Sequence, residues 1–514
     1  MPLAHTLSIA LSGLTAHVVT VEADIGAGLP AMVWTGLPDT AVRQSADRVR
    51  SAVNSSRESW PSHRITIGLS PASVRKSGSG FDLAVATAIL AASGAVPAPA
   101  VQRVVIIGEL GLDGRVHPVP GVLPGVIGAV RQGVDHVVVP CANADEARLV
   151  PGAEVVGVGS LAELCARLRG EPFDSPDRVA STGPAPEPVP DLADVIGQEE
   201  ARYALEVAAA GGHHLMLTGP PGVGKSLLAE RLPGLLPDLT PDEALEVSSI
   251  HSLLGGLPPG RPLLTRPPFC APHHSATVAS LVGGGAGVPG PGTVSRAHRG
   301  VLFLDECTEF ERRTLDALRQ PIESGVVTVA RAGGVATYPA RFQLVLAANP
   351  CPCSRGGRSL DAASCVCTSP QLRAYRNRLS GPLRDRVDLR ARLAPISRAI
   401  LTAGACGEPT AVVRARVERA RGRARERLQT TPWSTNAEVP GPVLRRQWPL
   451  QPDALRTLVT DIDRGLLSTR GVDRVLKVAW TIADLAGHER PDRHDVDAAR
   501  ALRHGTPQTL ARTA

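Results

Sequence analysis

"GPPGVGKS", residues 219–226, decides how this 514-residue chain is read. It fits the spacing G-x-x-x-x-G-K-[ST], in which backbone N–H groups wrap phosphate oxygens. Gly219, Pro220, Pro221, Gly222, Val223 and Gly224 form the loop, and its glycines tolerate the unusual φ the wrap demands. Lys225 supplies a point charge to the β- and γ-phosphates, Ser226 a hydroxyl to Mg²⁺, and Leu227 continues into a helix. The loop follows the strand-like "HHLMLT" and precedes the helix-like "SLLAERL". A chance glycine loop would lack that context.

Working outward, "VLFLDE" (301–306) is an apolar run ending in Asp305 and Glu306. By itself this is a buried strand with a polar end. Beside a phosphate loop, Asp305 would hold Mg²⁺ through water and Glu306 would polarise the attacking water. "FQLVLAAN" ends in Asn349, which would orient that water, although an Asn before Pro also forms turns. "SGPLRDRVDLR" carries Arg386, either an arginine finger for a neighbouring subunit or a surface ion pair. "STRGVDRVLKVAWTIADL" places Arg470 and Arg474 one helical turn apart, reaching for phosphates or lying on a solvated face.

The chain is too long for one ordinary core, and about three domains are expected. Apolar residues make up 43% and charged residues 20%, as in a soluble globular protein. Aromatics are only 3%, so Ala, Val, Leu and Ile must build the cores. A formal charge of +6 permits a polyanionic partner without demanding one. "MPLAHTLSIALSG" lacks a basic leader and a sustained apolar core, and no apolar run is long enough to span a membrane. A cytoplasmic location without membrane attachment is expected, where thiols stay reduced.

Residues 1–170 alternate Val/Ile-rich runs ("RITIGLS", "VVIIGEL", "HVVVP") with an Ala-rich helical stretch ("FDLAVATAILAAS"), predicting an α/β domain. The proline-rich 171–190 reads as a linker. Residues 191–392 hold the nucleotide motifs, and 393–514 are helical in pattern.

These motifs resemble the AAA+ ATPases, and specifically the magnesium-chelatase-like ComM/YifB family. "GLPDTAVRQSADRVRSAVNSS", "RITIGLSPASVRKSGSGFDLAVA", "GELGLDGRVHPVPGVLPG", "APHHSATVASLVGGG", "GVLFLDECTEF", "LRQPIESG", "NPCPC" and "LSGPLRDRVDL" carry the resemblance along nearly the whole chain. It implies an N-terminal Lon-protease-like, ribosomal-S5-like α/β domain, a central P-loop α/β/α sandwich and a C-terminal all-α lid. It implies a ring, a homo-hexamer, that hydrolyses ATP with Mg²⁺. ComM-type members imply helicase or branch-migration work on single-stranded or branched DNA during transformation and recombination. By the same resemblance Gly219–Ser226 become Walker A, Asp305 and Glu306 Walker B, Asn349 sensor 1, Arg386 the finger acting in trans, and Arg470, then Arg474, sensor 2. The competing readings are a motor that remodels a protein partner, as metal-chelatase subunits do, and a scaffold using ATP as a switch.

Two departures stand out. Trp480 occupies a place where the family commonly has Arg. In the Lon-like part, Gly80 and Gly125 fall where a Ser–Lys dyad would stand, and hydrogens cannot replace a nucleophile and its base. Ser77 and Ser79 nearby read as loop formers.

Cys351, Cys353, Cys365 and Cys367 have the spacing C-x-C-x₁₁-C-x-C. Four thiolates suit a closed structural Zn²⁺ site, although the pairs are tighter than usual, and four reduced loop thiols is the plain alternative. Such a clip would stiffen the path from Asn349 to Arg386. Cys141, Cys165, Cys270, Cys307 and Cys406 read as small buried hydrophobes. His273 and His274 are expected to point apart and serve structure. For DNA contact, the candidates are the glycine-rich "VGGGAGVPGPGTVS" and a hairpin turning near Gly333 and Gly334 with Arg331 at its tip. A plain structural hairpin is the alternative. The arginines at 414, 416, 419, 421, 423, 425 and 427 ring one helix, facing either solvent or DNA.

Overall fold

The computed structural model describes residues 3–173, 189–258, 260–285, 289–331, 334–353, 365–396, 407–465 and 467–505. Most of the expected linker (174–188), residues 286–288 of the glycine-rich stretch, Gly333, the interior of the cysteine loop (354–364) and Cys406 lie outside them.

The first sheet begins with β1 (Leu3–Ser12) and β2 (Thr15–Gly26), antiparallel about a tight turn at Gly13. Alternate residues of β1 are buried, the period-2 signature of a strand with one covered face. The sheet continues through β3 (Ala31–Thr35), β4 (Arg64–Ser70), β5 (Val104–Ile106), β6 (His136–Pro140) and β7 (Glu154–Val158), in the order β3-β4-β2-β1-β5-β6-β7. Its helices are α1 (Thr40–Ser55), α2 (Asp82–Ala92), α3 (Val122–Arg131) and α4 (Leu161–Arg169). Every residue of α2 is buried, because "DLAVATAILAA" is apolar nearly all round and its alanines allow close approach.

The next stretch contains α5 (Glu199–Gly211), β8 (Leu215–Thr218), α6 (Lys225–Ala229), α7 (Pro241–Leu253), β9 (Phe269–Cys270), β10 (Gly283–Gly284), β11 (Gly290–Pro291) and β12 (Val301–Leu304). It continues with β13 (Val326–Arg331), β14 (Gly334–Pro339), β15 (Gln343–Ala348), α8 (Ser369–Arg378), α9 (Gly381–Arg386) and β16 (Leu389–Arg392). Five of these strands form one wholly parallel sheet, ordered β9-β12-β15-β8-β16. β12 and β15 are buried at every position, as strands covered on both faces must be. The β13–β14 hairpin stands apart from this sheet, its pairing closing at Arg331 and Gly334.

Beyond β16 the described chain is helical, with α10 (Thr410–Leu428), α11 (Thr469–Ala486) and α12 (Arg493–His504) among its longer members. Most arginines of α10 are tied to neighbouring elements, while Arg419 and Arg425 are exposed. Arg416 forks between Glu206 and Glu408, Arg421 donates to the Ala209 carbonyl at the end of α5, and Arg423 and Arg427 reach Asp484. Arg414 pairs with Asp238 and Glu418. These guanidiniums staple α10 to its neighbours. Trp480 is buried, with the Arg427 guanidinium 4.3 Å from its ring centroid.

Among the described residues the first sheet meets the second part at α3 and at the β1–β2 turn. At the start of α3, the Gly121 and Leu123 N–H groups donate to the Ser252 carbonyl and hydroxyl at the end of α7. The β1–β2 turn meets the β13–β14 hairpin, where a Cβ on Gly13 would stand 3.0 Å from the Thr337 carbonyl.

Asp484 is 2% exposed and takes both Arg427 nitrogens, at 2.6 and 2.7 Å. Truncating it leaves a largely buried guanidinium without its counter-charge, at a cost of about 3–5 kcal/mol. Asp484→Ala is expected to unfold the C-terminal helices at markedly lower denaturant than Asp484→Asn, read by circular dichroism.

Candidate nucleotide site

Parallel register places the ends of β8, β12 and β15 side by side: Leu304 pairs with Leu346, and Met216 with the same residue from the other side. Each strand then releases its polar residues on one edge of the sheet, where ligands of open α/β folds bind. Gly219 leaves β8 with its N–H on the Ala348 carbonyl. A Cβ there would lie 2.6 Å from the Leu393 carbonyl, so only glycine fits. Gly222 and Gly224 have φ of +79° and +95°, the left-handed region that turns successive N–H groups inward.

Lys225 is buried at the first turn of α6. Its ammonium donates to the carbonyls of Gly219 (2.8 Å) and Pro220 (2.9 Å) and to Asn349 Oδ1 (2.9 Å). Burial pushes its pKa down, and Asp305 and Glu306 push it back up. Ser226 Oγ donates to Asp305 Oδ2 at 2.6 Å. The other Asp305 oxygen accepts the Glu306 N–H at 2.9 Å, and Glu306 has φ of +46°. The hydroxyl and carboxylate together make a hard oxygen donor set of the kind Mg²⁺ prefers, which fits a metal-nucleotide site.

His274 enters this cluster unannounced by the sequence. It follows β9, the strand beside β12, and its Nδ1 stands 3.8 Å from Glu306 Oε2. The two histidine rings do not point apart; they tilt against each other with centroids 4.0 Å apart, and His273 Nδ1 pairs with the Ser275 hydroxyl. Only the strand order, which no local pattern encodes, reveals that neighbour.

The arginines lie further off. Arg386 ends α9 and bonds within its own chain to Glu323 and the Pro382 carbonyl. Arg474 bonds to Asp388 and to the Arg386 carbonyl, not to the phosphate loop. Arg470 is exposed in the first turn of α11. Cys351, Cys353, Cys365 and Cys367 converge, with all four sulfurs within 4.8 Å of one another, directly after Asn349. α8, which follows them, is pinned to the loop beyond β12 by Thr308 on the Tyr375 hydroxyl (2.7 Å) and by Arg378 on the Thr308 carbonyl (3.0 Å). In the first sheet's domain, a Cβ on Gly80 would approach Ile107 at 3.9 Å, and one on Gly125 would approach Ile9 at 3.4 Å and Ile107 at 3.7 Å.

A parallel sheet with a phosphate loop after its fourth-placed strand, acidic and amide residues on the adjacent tips, and a helical C-terminal region define an AAA+ P-loop ATPase. Family models agree along the chain: "Magnesium chelatase, subunit ChlI" matches residues 191–401, "Subunit ChlI of Mg-chelatase" 21–143, and its C-terminal counterpart 407–503. An uncharacterised protein of Mycobacterium tuberculosis is 53% identical over 503 residues, 98% of this chain and 99% of its own. YifB of Escherichia coli is 43% identical, covering 92% and 91%, and competence protein ComM of Haemophilus influenzae 39%, covering 95% of each. The chain belongs to the ComM/YifB family of magnesium-chelatase-like proteins. No helix among the described residues is long and apolar enough to cross a membrane.

Glu306→Gln keeps the size and the backbone turn but removes the charge. ATP hydrolysis is expected to fall at least about a hundredfold, with binding of a fluorescent ATP analogue retained; loss of binding would show that Glu306 serves structure.

Proposed function

We propose that this protein is an Mg²⁺-dependent ATP-hydrolysing motor that works in the cytoplasm as a homo-hexameric ring on single-stranded or branched DNA. The observation that carries the hydrolytic part is the junction of Lys225, Ser226, Asp305, Glu306 and Asn349 at adjacent strand tips. The loop 219–224 cradles the phosphates, and Lys225 exchanges its carbonyl contacts for theirs. Ser226 and Asp305 hold Mg²⁺, which when bound neutralises phosphate charge. Glu306 takes up the proton of the attacking water and Asn349 orients it. Arg386 reaches the neighbour's γ-phosphate, where a fixed guanidinium stabilises transition-state charge. Arg470, exposed on α11, is the C-terminal arginine offered to the nucleotide.

The domain division that suits this machine is 1–170, 191–392 and 393–514. The first unit serves assembly or substrate contact and not proteolysis, since Gly80 and Gly125 stand where the resembled proteases carry a nucleophile and its base, and neither offers a side chain.

Support for DNA comes from the hairpin. Its partner loop is the glycine-rich stretch: the Tyr338 hydroxyl donates to the Pro289 carbonyl at 2.6 Å, and Arg331 reaches toward Gly284. The compound loop ends in a guanidinium and an exposed Val335, suited to phosphates without regard to sequence. A relative that bears the name competence protein adds weight. Forked DNA is expected to stimulate ATPase activity, and Arg331→Ala to weaken binding and lower its salt slope by about one. Stimulation by a protein partner and by no DNA structure would favour the second reading, a remodelling motor of the kind the magnesium chelatase models represent.

The four cysteines are proposed to hold a structural Zn²⁺. Sγ separations of 3.3 Å (Cys351 to Cys353) and 3.9 Å (Cys353 to Cys365) bracket the edge of a tetrahedral thiolate site, about 3.8 Å for Zn–S bonds near 2.3 Å. Cys351 is buried, which disfavours four unliganded thiols competing for one space. Metal analysis of reduced protein is expected to give about one zinc per chain, lost in Cys353→Ser; zinc-free protein with unchanged melting would end this assignment.

A further inference from the structure

Two arginines from the C-terminal helices hold the turn that carries Arg386. Arg474 of α11 donates to the Arg386 carbonyl at 3.0 Å and to the Asp388 carboxylate. Arg503 of α12 donates to the carbonyl between them, that of Val387. Asp388 is 3% exposed. Its other oxygen accepts the His214 N–H at 3.1 Å, while the N–H groups of Asp388 and Leu389 donate to the His214 carbonyl at 3.1 and 3.0 Å. His213 Nδ1 lies 3.7 Å from the same carboxylate, and its Nε2 is 2.8 Å from the Thr481 hydroxyl of α11.

The turn after α9, the approach to the phosphate-loop strand β8 and both C-terminal helices therefore share one buried polar knot. Burial works to raise the Asp388 pKa, yet Arg474 and the two histidines hold it well below the usual carboxylate range. Burial lowers Arg503 to about 10, so it stays cationic at neutral pH. A network this enclosed tolerates few arrangements, because each member left unpaired is costly. Holding two consecutive carbonyls fixes the direction in which the backbone presents the Arg386 side chain.

We infer that Arg474 and Arg503 are positioning residues for the finger, so that the C-terminal helices of one subunit set the aim of the arginine serving the next subunit's nucleotide. This rests on the reading of Arg386 as an intersubunit finger. A tilt of α11 and α12 moves the 386–388 turn, because both guanidiniums grip it from helices outside the sheet. The guanidinium of Arg386 then leaves Glu323 for a partner across the interface.

Subunit mixing tests this. Lys225→Ala subunits bind no nucleotide but lend fingers; Arg386→Ala subunits bind nucleotide but lend none. An equal mixture should regain about a quarter of wild-type ATPase activity, the share of head-to-tail interfaces that unite an intact site with an intact finger. Adding Arg474→Gln and Arg503→Gln to the Lys225→Ala donor should cut that activity by about tenfold or more. The donor's own site is already dead, so the loss reports its finger alone. Arg474→Lys in the donor keeps a charge beside Asp388, but its ammonium is a point donor on a flexible stem rather than a planar, pre-organised group, and it should give an intermediate value. Should the double-glutamine donor fail to enter the ring by size exclusion, the lysine donor makes the same comparison. Undiminished rescue by the substituted donors overturns the positioning role while leaving the finger intact. A parental mixture with no activity overturns the finger reading beneath it.

Discussion

A buried ammonium must spend its three protons on acceptors, and Lys225 spends them on two carbonyls of its own loop and on Asn349 of the neighbouring strand. That single requirement links the glycine-rich loop after β8 to the tip of β15. It holds because β8 and β15 run parallel and in register, so the loop and the amide emerge at one level. Ser226 on Asp305 makes the same kind of link to β12. The three strand tips are thus tied to one another by hydrogen bonds among their own polar groups.

Around this cluster the fold supplies two frames. The parallel sheet fixes the inner frame. The outer one is built from arginines that reach between elements: Arg427 and Arg423 to Asp484, Arg421 to the end of α5, Arg474 and Arg503 to the turn after α9. A chain with few aromatics cannot rely on large apolar plugs to lock its helices. It uses forked guanidiniums on carbonyl and carboxylate groups instead, and these impose direction as well as attraction.

The sequence was most readable where local pattern and backbone chemistry coincide. "RITIGLS" is β4 residue for residue, "HVVVP" is β6, and "VLFL" is β12, each a run of β-branched or apolar residues closed by polar ones. The fully apolar α2 was equally plain. What local pattern could not supply was adjacency. That His274 faces Glu306 depends on β9 lying beside β12, a fact of strand order. The arginines of α10 read as a charged circumference because their acceptors, Glu206, Ala209 and Asp484, come from distant stretches. Helical spacing left Arg470 and Arg474 open between phosphates and a solvated face for the same reason; Arg474's partner Asp388 lies 86 positions away. Helical spacing locates a side chain on its own helix but says nothing of what stands opposite.

Glu306 bends the chain into the left-handed region at the moment the strand ends. For a side chain with a Cβ that conformation costs about 1–2 kcal/mol, a sum that selection for thermal endurance alone would remove by placing glycine there. Glycine would relax the backbone and leave no carboxylate. On the proposed role of Glu306, the residue marks a point where the molecule accepts a less durable fold in exchange for aim, so searches for hardier variants of this protein should leave position 306 untouched and look to the staples of its outer helices.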